Sequence, residues 1–395
     1  MCKARSVPQA PTASRDARPL SVSFDATPLL GSPTGVGAFC AGALLGLGAR
    51  PDVQVSGFAV SWRRRKGIGS RVPDGVATHQ RAMPARPLQW SWRHTSRPPV
   101  EWFIGRHDIV HGSNFVVPPT AHAARVVTVH DLTVLLHPEL CDPPTLAFPA
   151  LVRRAVAEGA WVHTPSQYVA EEVVAELGVD RERVRAVHHG VPPLAGAEDE
   201  GRAPELPQGC GRYVLAVGTV EPRKDYPGLV AAFDEIAARD AEVALLIAGA
   251  DGWGAARLTA AIEASPARSR IVRAGYLSPA ALSGALRHAA VLAYPSRYEG
   301  FGFPPLQAMT AGVPVVATAA GAVPEVVGDA AVVVPPGDVE ALASAISRVL
   351  AGGPEVDELV ARARLRAGSF TWTACAEGLC ALYRDAESAR PGPRR

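Results

Sequence analysis

The feature that most constrains this chain is an alternation of short apolar runs with amphipathic or alanine-rich stretches, played out twice. In the first pass SVSFD (21–25), DVQVSGF (52–58), DIVH (108–111), RVVTV (125–129), AWVHT (160–164) and RVRAV (183–187) read as strands. Helical candidates lie between them, for example at 36–47, 146–157 and 166–177. Strand–helix alternation of this kind argues for a parallel, doubly wound sheet.

The pattern breaks at VPPLAGAEDEGRAPELPQGCG (191–211), which is rich in proline, glycine and acids, has no periodicity, and reads as a linker. The alternation then restarts with YVLAV (213–217), EVALLIAG (242–249), RIVRAG (270–275), AVLAYP (290–295), VPVVAT (313–318) and AAVVVPP (330–336). Helices at 227–239, 279–289 and 339–350 separate these strands. The expected organisation is a flexible tail over 1–19, one Rossmann-like domain over 20–190, the linker, and a second such domain over 212–369. A closing helix over 370–388 is placed by the sequence on neither domain. Ligands of open α/β sheets bind outside the carboxyl ends of the strands, so two such domains imply a cleft between two strand-end surfaces.

Several classes are disfavoured. Of the 395 residues 48% are hydrophobic and 20% charged, enough to build a sizeable core. Cys2, Cys40, Cys141, Cys210, Cys375 and Cys380 form no CxxC pair and no metal-ligand spacing, so reduced thiols and a cytoplasmic setting are expected. No apolar run approaches the roughly 20 residues that span a bilayer, and MCKARSVPQAPTASRDARP lacks the apolar core of a secretory signal. A formal net charge of +2 is not that of a nucleic-acid-binding polyelectrolyte. No G-x-G-x-x-G follows the first strand of either half, which argues against a nicotinamide-dependent oxidoreductase.

The segment richest in chemistry is PSRYEGFGFPPLQAMTAGVPVVAT (295–318). A strand ends at Pro295, a glycine-punctuated loop presents Glu299, and a helix begins near Pro304 and Pro305, where missing N–H groups cost nothing. Gly312 then ends that helix. A loop of this type lets backbone approach a ligand closely, and the helix N-terminus favours an anion such as a diphosphate. Taken alone, the fragment fits a buried strand–helix turn equally well. His130 follows the run RVVTV and so stands at a strand's carboxyl end.

Six segments taken together resemble the family 4 retaining glycosyltransferases. EGFGFPPLQAM is similar to that family's acidic motif, and GTVEPRKD (218–225) to its diphosphate-binding segment. VTVHDLTVLLHPE (127–139) resembles its reaction-centre histidine segment and PTGVGAF (33–39) its N-terminal glycine loop. AGAVPEVVGDAAVVVPPGDVEAL (320–342) and FTWTACAEGLCALYRDA (370–386) match in order. The likeness implies the GT-B fold, two facing Rossmann-like domains, and hexosyl transfer with retention. It implies His130, Glu299 and Lys224 at the reaction centre. Arg223 and Lys224 would meet the donor diphosphate, and Glu299 the sugar hydroxyls. Backbone N–H groups around Phe301, Gly302 and Phe303 would meet the phosphates. Gly35 and Gly37 would close over the diphosphate from the other domain, and Tyr276 and Leu277 would flank the base through their backbone.

Two positions depart from the family pattern: Gln307 replaces the second acid, and Thr219 stands where some relatives carry arginine. An amide still bonds ribose hydroxyls but without charge assistance. No Asp-x-Asp triplet occurs, so no metal or other cofactor is expected. The implied donor is GDP-mannose or, second, UDP-glucose, and the acceptor a polysaccharide or lipid-linked glycan. A sugar-nucleotide epimerase or hydrolase, and a non-catalytic sugar-nucleotide-binding subunit, are the competing readings. Residues 61–106 carry ten Arg or Lys against Asp74 and Glu101, an excess of +8, with Trp62, Trp90, Trp92 and Trp102 interleaved. Cations and tryptophans together suit the surface of an anionic membrane, and a solvated loop with packed tryptophans is the alternative.

Overall fold

The structure is a computed structural model that describes residues 18–31, 34–141, 143–195 and 204–390. Most of the 1–19 tail, Cys2 and the acids Glu198, Asp199 and Glu200 therefore lie outside the described residues.

The first pass of the alternation forms one sheet from β1 (Leu20–Asp25), β2 (Val53–Phe58), β3 (Ala77–His79), β4 (Ile109–Gly112), β5 (Ala124–Thr128), β6 (Trp161–Thr164) and β7 (Val184–Ala186). All pair in parallel, in the order β3-β2-β1-β4-β5-β6-β7. Its helices are α1 (Gly35–Gly48), α2 (Ala85–His94), α3 (Glu101–Ile104), α4 (Thr133–Leu136), α5 (Phe148–Ala157) and α6 (Gln167–Leu177). Strand β3 has no counterpart in the sequence reading. It is a three-residue edge strand with no buried residue, so it carries no apolar signal.

The second pass forms another parallel sheet, from β8 (Arg212–Val217), β9 (Val243–Ala248), β10 (Ile271–Gly275), β11 (Val291–Tyr294), β12 (Val315–Thr318) and β13 (Val332–Val334). Its order is β10-β9-β8-β11-β12-β13. Around it stand α7 (Tyr226–Ala237), α8 (Ala255–Ala264), α9 (Pro279–Arg287), α10 (Phe303–Ala311), α11 (Val323–Val327), α12 (Val339–Leu350) and α13 (Pro354–Gly368). Every residue of β9 (VALLIA) is buried, as expected of a central strand covered on both faces. The two-domain, doubly wound fold expected from the sequence is the fold found. In each sheet the chain order reverses beside the first strand, between β1 and β4 and between β8 and β11. Loops diverge at such points and leave a crevice.

Helix α14 (Trp372–Ser388) settles the placement that the sequence left open: it returns to the first sheet. Cys375, Ala376, Leu379, Leu382 and Tyr383 join Phe24, Phe39 and Leu44 in one core. The approach depends on missing side chains in α1. A Cβ on Gly42 would sit 2.0 Å from the Trp372 ring, and one on Gly46 2.3 Å from the Trp372 carbonyl. Each fully buried leucine there contributes about 1.5–3 kcal/mol, so α14 is part of the first lobe's stability although it follows the second in sequence.

Candidate active site

The second lobe supplies a buried ion cluster from two neighbouring strand ends. After β8 the chain makes a single turn, Pro222–Lys224, closed by Asp225 in the left-handed region at φ 47°. After β11, Ser296 and Glu299 face that turn, and the Arg297 N–H bonds the Arg223 carbonyl at 2.7 Å. Lys224 Nζ donates to Glu299 Oε1 at 2.5 Å and to the Tyr294 hydroxyl at 3.1 Å. Arg223 Nη1 donates to Glu299 Oε2 at 2.8 Å, and its Nε to Glu221 at 2.8 Å. Ser296 Oγ also donates to Glu299 Oε1, at 2.6 Å. The Lys224 and Glu299 side chains are only 8% and 7% exposed.

Burial alone would raise the Glu299 pKa, but Arg223 and Lys224 outweigh it and hold the carboxyl at about 2. Burial lowers the Lys224 ammonium, with Glu299 opposing the shift. Glu299 is therefore a carboxylate already gripped by the two cations that the sequence reading assigns to a diphosphate. Its Oε1 has both lone pairs engaged, whereas among the described residues Oε2 accepts from Arg223 alone and retains one acceptor site. Lys224 keeps one N–H beyond the two in use.

The first lobe closes over this cluster. A Cβ on Gly300 would lie 1.9 Å from the His130 carbonyl, so the close approach made by this loop glycine is to the other lobe's backbone. His130 Nε2–H donates to the Ser113 carbonyl at 2.8 Å, which in the neutral ring leaves Nδ1 as an acceptor. Burial keeps the His130 pKa below 6.5, against the opposing influence of the Ser113 carbonyl and Asp131. Gly35 begins α1, and a Cβ there would sit 3.6 Å from the Phe303 ring, the first residue of α10. Two helix N-termini thus meet across the cleft. The Gly37 N–H is taken by the Thr34 cap at 3.2 Å, which leaves Gly35 and Val36 as open donors among the described residues. At the opposite end Gly302 and Phe303 donate to no other backbone group among the described residues.

Residues that the sequence reading did not single out tie the lobes together. Ser166 Oγ, the cap of α6, donates to the Gly300 carbonyl at 2.9 Å. The Tyr298 hydroxyl accepts from the Leu132 N–H at 3.0 Å and donates to Glu172 at 2.5 Å. Glu325 accepts the N–H groups of Gln167 (2.8 Å) and Tyr168 (2.9 Å) and pairs with His188 at 2.7 Å. An acid at a helix N-terminus is stabilised by the dipole. Only Ser166 carried a local signal, as the cap before a periodic helix.

The remaining candidates are distributed as follows. Phe301 is buried, and Phe303 stacks on His189 with centroids 5.6 Å apart. Tyr276 borders a cavity of about 220 Å3 at the ends of β8, β9 and β10. The Leu277 side chain leans on the second-lobe core instead of lining it. Gln307 is half-buried on α10, with no hydrogen bond from its side chain among the described residues, and Thr219 is exposed. A larger cavity of about 450 Å3 lies between His137 and Glu139 of the first lobe and Glu221, Asp225, Arg257 and Arg297 of the second. Glu221 on its wall accepts from Arg223, which in turn pairs with Glu299. Among the described residues no group of His, Cys, Asp and Glu is arranged to hold a metal ion.

His111, His163 and His189 are fully buried around Phe39, and His111 bonds the Tyr383 hydroxyl at 2.6 Å. Burial holds His163 down to about 3 and the other two well below 6.5, so all three are neutral parts of the core. In the basic stretch Trp92 is buried, while Trp62, Trp90 and Trp102 are 58%, 65% and 65% exposed. Glu101 is occupied by the N–H groups of residues 121–123.

The chain matches two family models, one described as Glycosyltransferase Family 4 over residues 35–193 and one as Glycosyl transferases group 1 over 198–366. It is 29% identical over 273 residues to an O-antigen chain mannosyltransferase B of Escherichia coli, covering 68% of this chain and 71% of that protein. Identity to a D-inositol 3-phosphate glycosyltransferase of Segniliparus rotundus is 30% over 313 residues, 75% of this chain and 67% of the relative. The Anabaena protein HepE, solved with UDP and glucose, superposes with a TM-score of 0.67 at 16% identity, over 92% of this chain and 98% of that one. The last likeness shows the fold.

Proposed function

Because the chain belongs to the family 4, group 1 glycosyltransferases, and is therefore a glycosyltransferase, we propose that it moves a hexose from a nucleoside diphosphate sugar with retention. Mannose from GDP-mannose is the first choice, in keeping with the E. coli mannosyltransferase, and UDP-glucose the second, in keeping with HepE. The acceptor is a polysaccharide or lipid-linked glycan. No metal takes part.

One observation carries this reading: Arg223, Lys224 and Glu299 converge at a switch point where the N-termini of α1 and α10 face each other. As the bond between the anomeric carbon and the diphosphate breaks, the leaving group gains negative charge. The third N–H of Lys224, the outer guanidinium edge of Arg223 and the N–H groups of Gly35, Val36, Gly302 and Phe303 are the donors that stabilise it. Glu299 Oε2 accepts from a sugar hydroxyl with its remaining lone pair, and His130 Nδ1 accepts from another. Both fix the ring for attack. Gln307 holds a ribose hydroxyl.

Peripheral contact with an anionic membrane belongs to the same proposal, with Trp62, Trp90 and Trp102 as the inserting rings. No helix among the described residues is long and apolar enough to cross a membrane.

The test is donor turnover. Nucleotide sugars are screened for thermal stabilisation, then for hydrolysis and transfer with and without excess EDTA, and the product anomer is assigned by NMR. Transfer with retention in EDTA is the expected result. Loss of turnover in EDTA with rescue by magnesium would overturn the metal-free step, and an inverted product the stereochemistry.

A further inference from the structure

The cavity of about 220 Å3 beside Tyr276 contains two charged side chains that the transfer chemistry does not use, Asp251 and Arg273. It lies across the ends of β8, β9 and β10, on the sheet-edge side of the Lys224 turn. Asp251 is tied to that turn through backbone: it bridges Val220, and the Val220 N–H bonds the Ala250 carbonyl at 2.9 Å. Strand ends β11, β8, β9 and β10 thus present Glu299, the two cations, Asp251 and Tyr276 in spatial order. A sugar nucleotide laid along them sugar first brings its base to Asp251.

We propose that Asp251, held by Arg273, reads the base of the donor and selects guanine. This rests on the donor-site reading above and names the nucleotide that the site prefers. Arg273 is a fixed clamp. Its Nη2 donates to Asp251 Oδ1 at 2.5 Å and its Nη1 to the Thr259 hydroxyl at 2.7 Å. The guanidinium orients the carboxylate, while Oδ2 has no partner among the described residues and the side chain is 68% exposed. The Tyr276 ring, 54% exposed, supplies a face for stacking.

A carboxylate offers acceptors only. Guanine presents two adjacent donors on one edge, N1–H and the 2-amino group, and satisfies both carboxylate oxygens. Uracil presents a single N–H between two carbonyls, and adenine an amino group beside an acceptor nitrogen. Either would set lone pairs against the carboxylate. Rejection by unpaired or repelling polar groups is the strong form of specificity.

The experiment is calorimetric titration of the full chain with GDP, UDP and xanthosine diphosphate. Wild-type protein should bind GDP about 10- to 100-fold more tightly than the other two, the range of one bidentate base contact. Asp251→Asn, nearly isosteric and at an exposed position, should lose that preference. It should favour xanthosine diphosphate over GDP, because the amide donates to the carbonyl that replaces guanine's amino group. Lys224→Ala should weaken all three nucleotides alike. Wild-type preference for UDP, or a GDP to xanthosine diphosphate ratio unmoved by Asp251→Asn, overturns the base assignment and leaves the diphosphate site standing. Binding of none of the three overturns both.

Discussion

Replacing Glu299 with glutamine removes one negative charge from a pocket that holds two positive ones. The carboxylate takes Lys224 at 2.5 Å and Arg223 at 2.8 Å. Removing one partner of a buried pair costs about 3–5 kcal/mol. Arg223 keeps Glu221 at 2.8 Å, so the lower end, about 3 kcal/mol, is expected. At about 2–4 °C per kcal/mol the melting temperature falls by about 6–12 °C. Nucleotide binding should move the other way. A diphosphate supplies the anion that the two cations have lost, and recovering about 1.4 kcal/mol of the 3 raises affinity about tenfold. Turnover falls on the order of 100-fold, because the donor sugar loses its alignment. Scanning calorimetry without nucleotide, titration with GDP and UDP, and initial rates read the three effects separately. The double variant Lys224→Met with Glu299→Gln should regain part of the stability and lose the tightened binding. Unchanged or weaker nucleotide affinity in Glu299→Gln would mean that Arg223 and Lys224 do not face the diphosphate.

Three further outcomes are expected. His163, held to about 3 in the fold against 6.5 for the free side chain, binds fewer protons folded than unfolded, as do His111 and His189. Stability is therefore full above pH 6.5 and falls with pH below it, by about 1.4 kcal/mol per unit for each histidine, which urea titrations from pH 7 to 4.5 measure. A stability flat across that window refutes the neutral-histidine core. Gln307→Glu should lower donor KM about fivefold at little change in kcat, and Gln307→Ala should raise KM. Loss of turnover in the first with unchanged KM in the second removes the ribose role. Serine at Arg63, Arg64, Arg65 and Lys66 should weaken flotation with anionic vesicles without altering soluble donor hydrolysis, and wild-type protein that ignores such vesicles at low salt ends the membrane proposal.

Most strands and the longer helices flanking them were legible because their signals are local. Periodicity, caps such as Ser166 and Asp338, and the proline and glycine around α10 act within a turn or a strand, and the element boundaries follow them closely. The family resemblance likewise reads short segments in order, and it drew attention to Lys224, Glu299 and His130. What those side chains do to one another was not legible. Lys224 and Glu299 are 75 residues apart and meet because β8 and β11 are neighbours across the reversal of strand order, which no local period encodes. The same holds for Glu325 capping a helix of the other lobe and for Gly300 against the His130 carbonyl. Helix α14 is the plainest case. Its apolar face could be read from the sequence, but its partner could not, because an apolar stripe carries no address. Gly42 and Gly46 of α1, more than 320 residues earlier, leave with Gly190 the room that admits Trp372 so closely, and that complementarity exists only once the first lobe is folded.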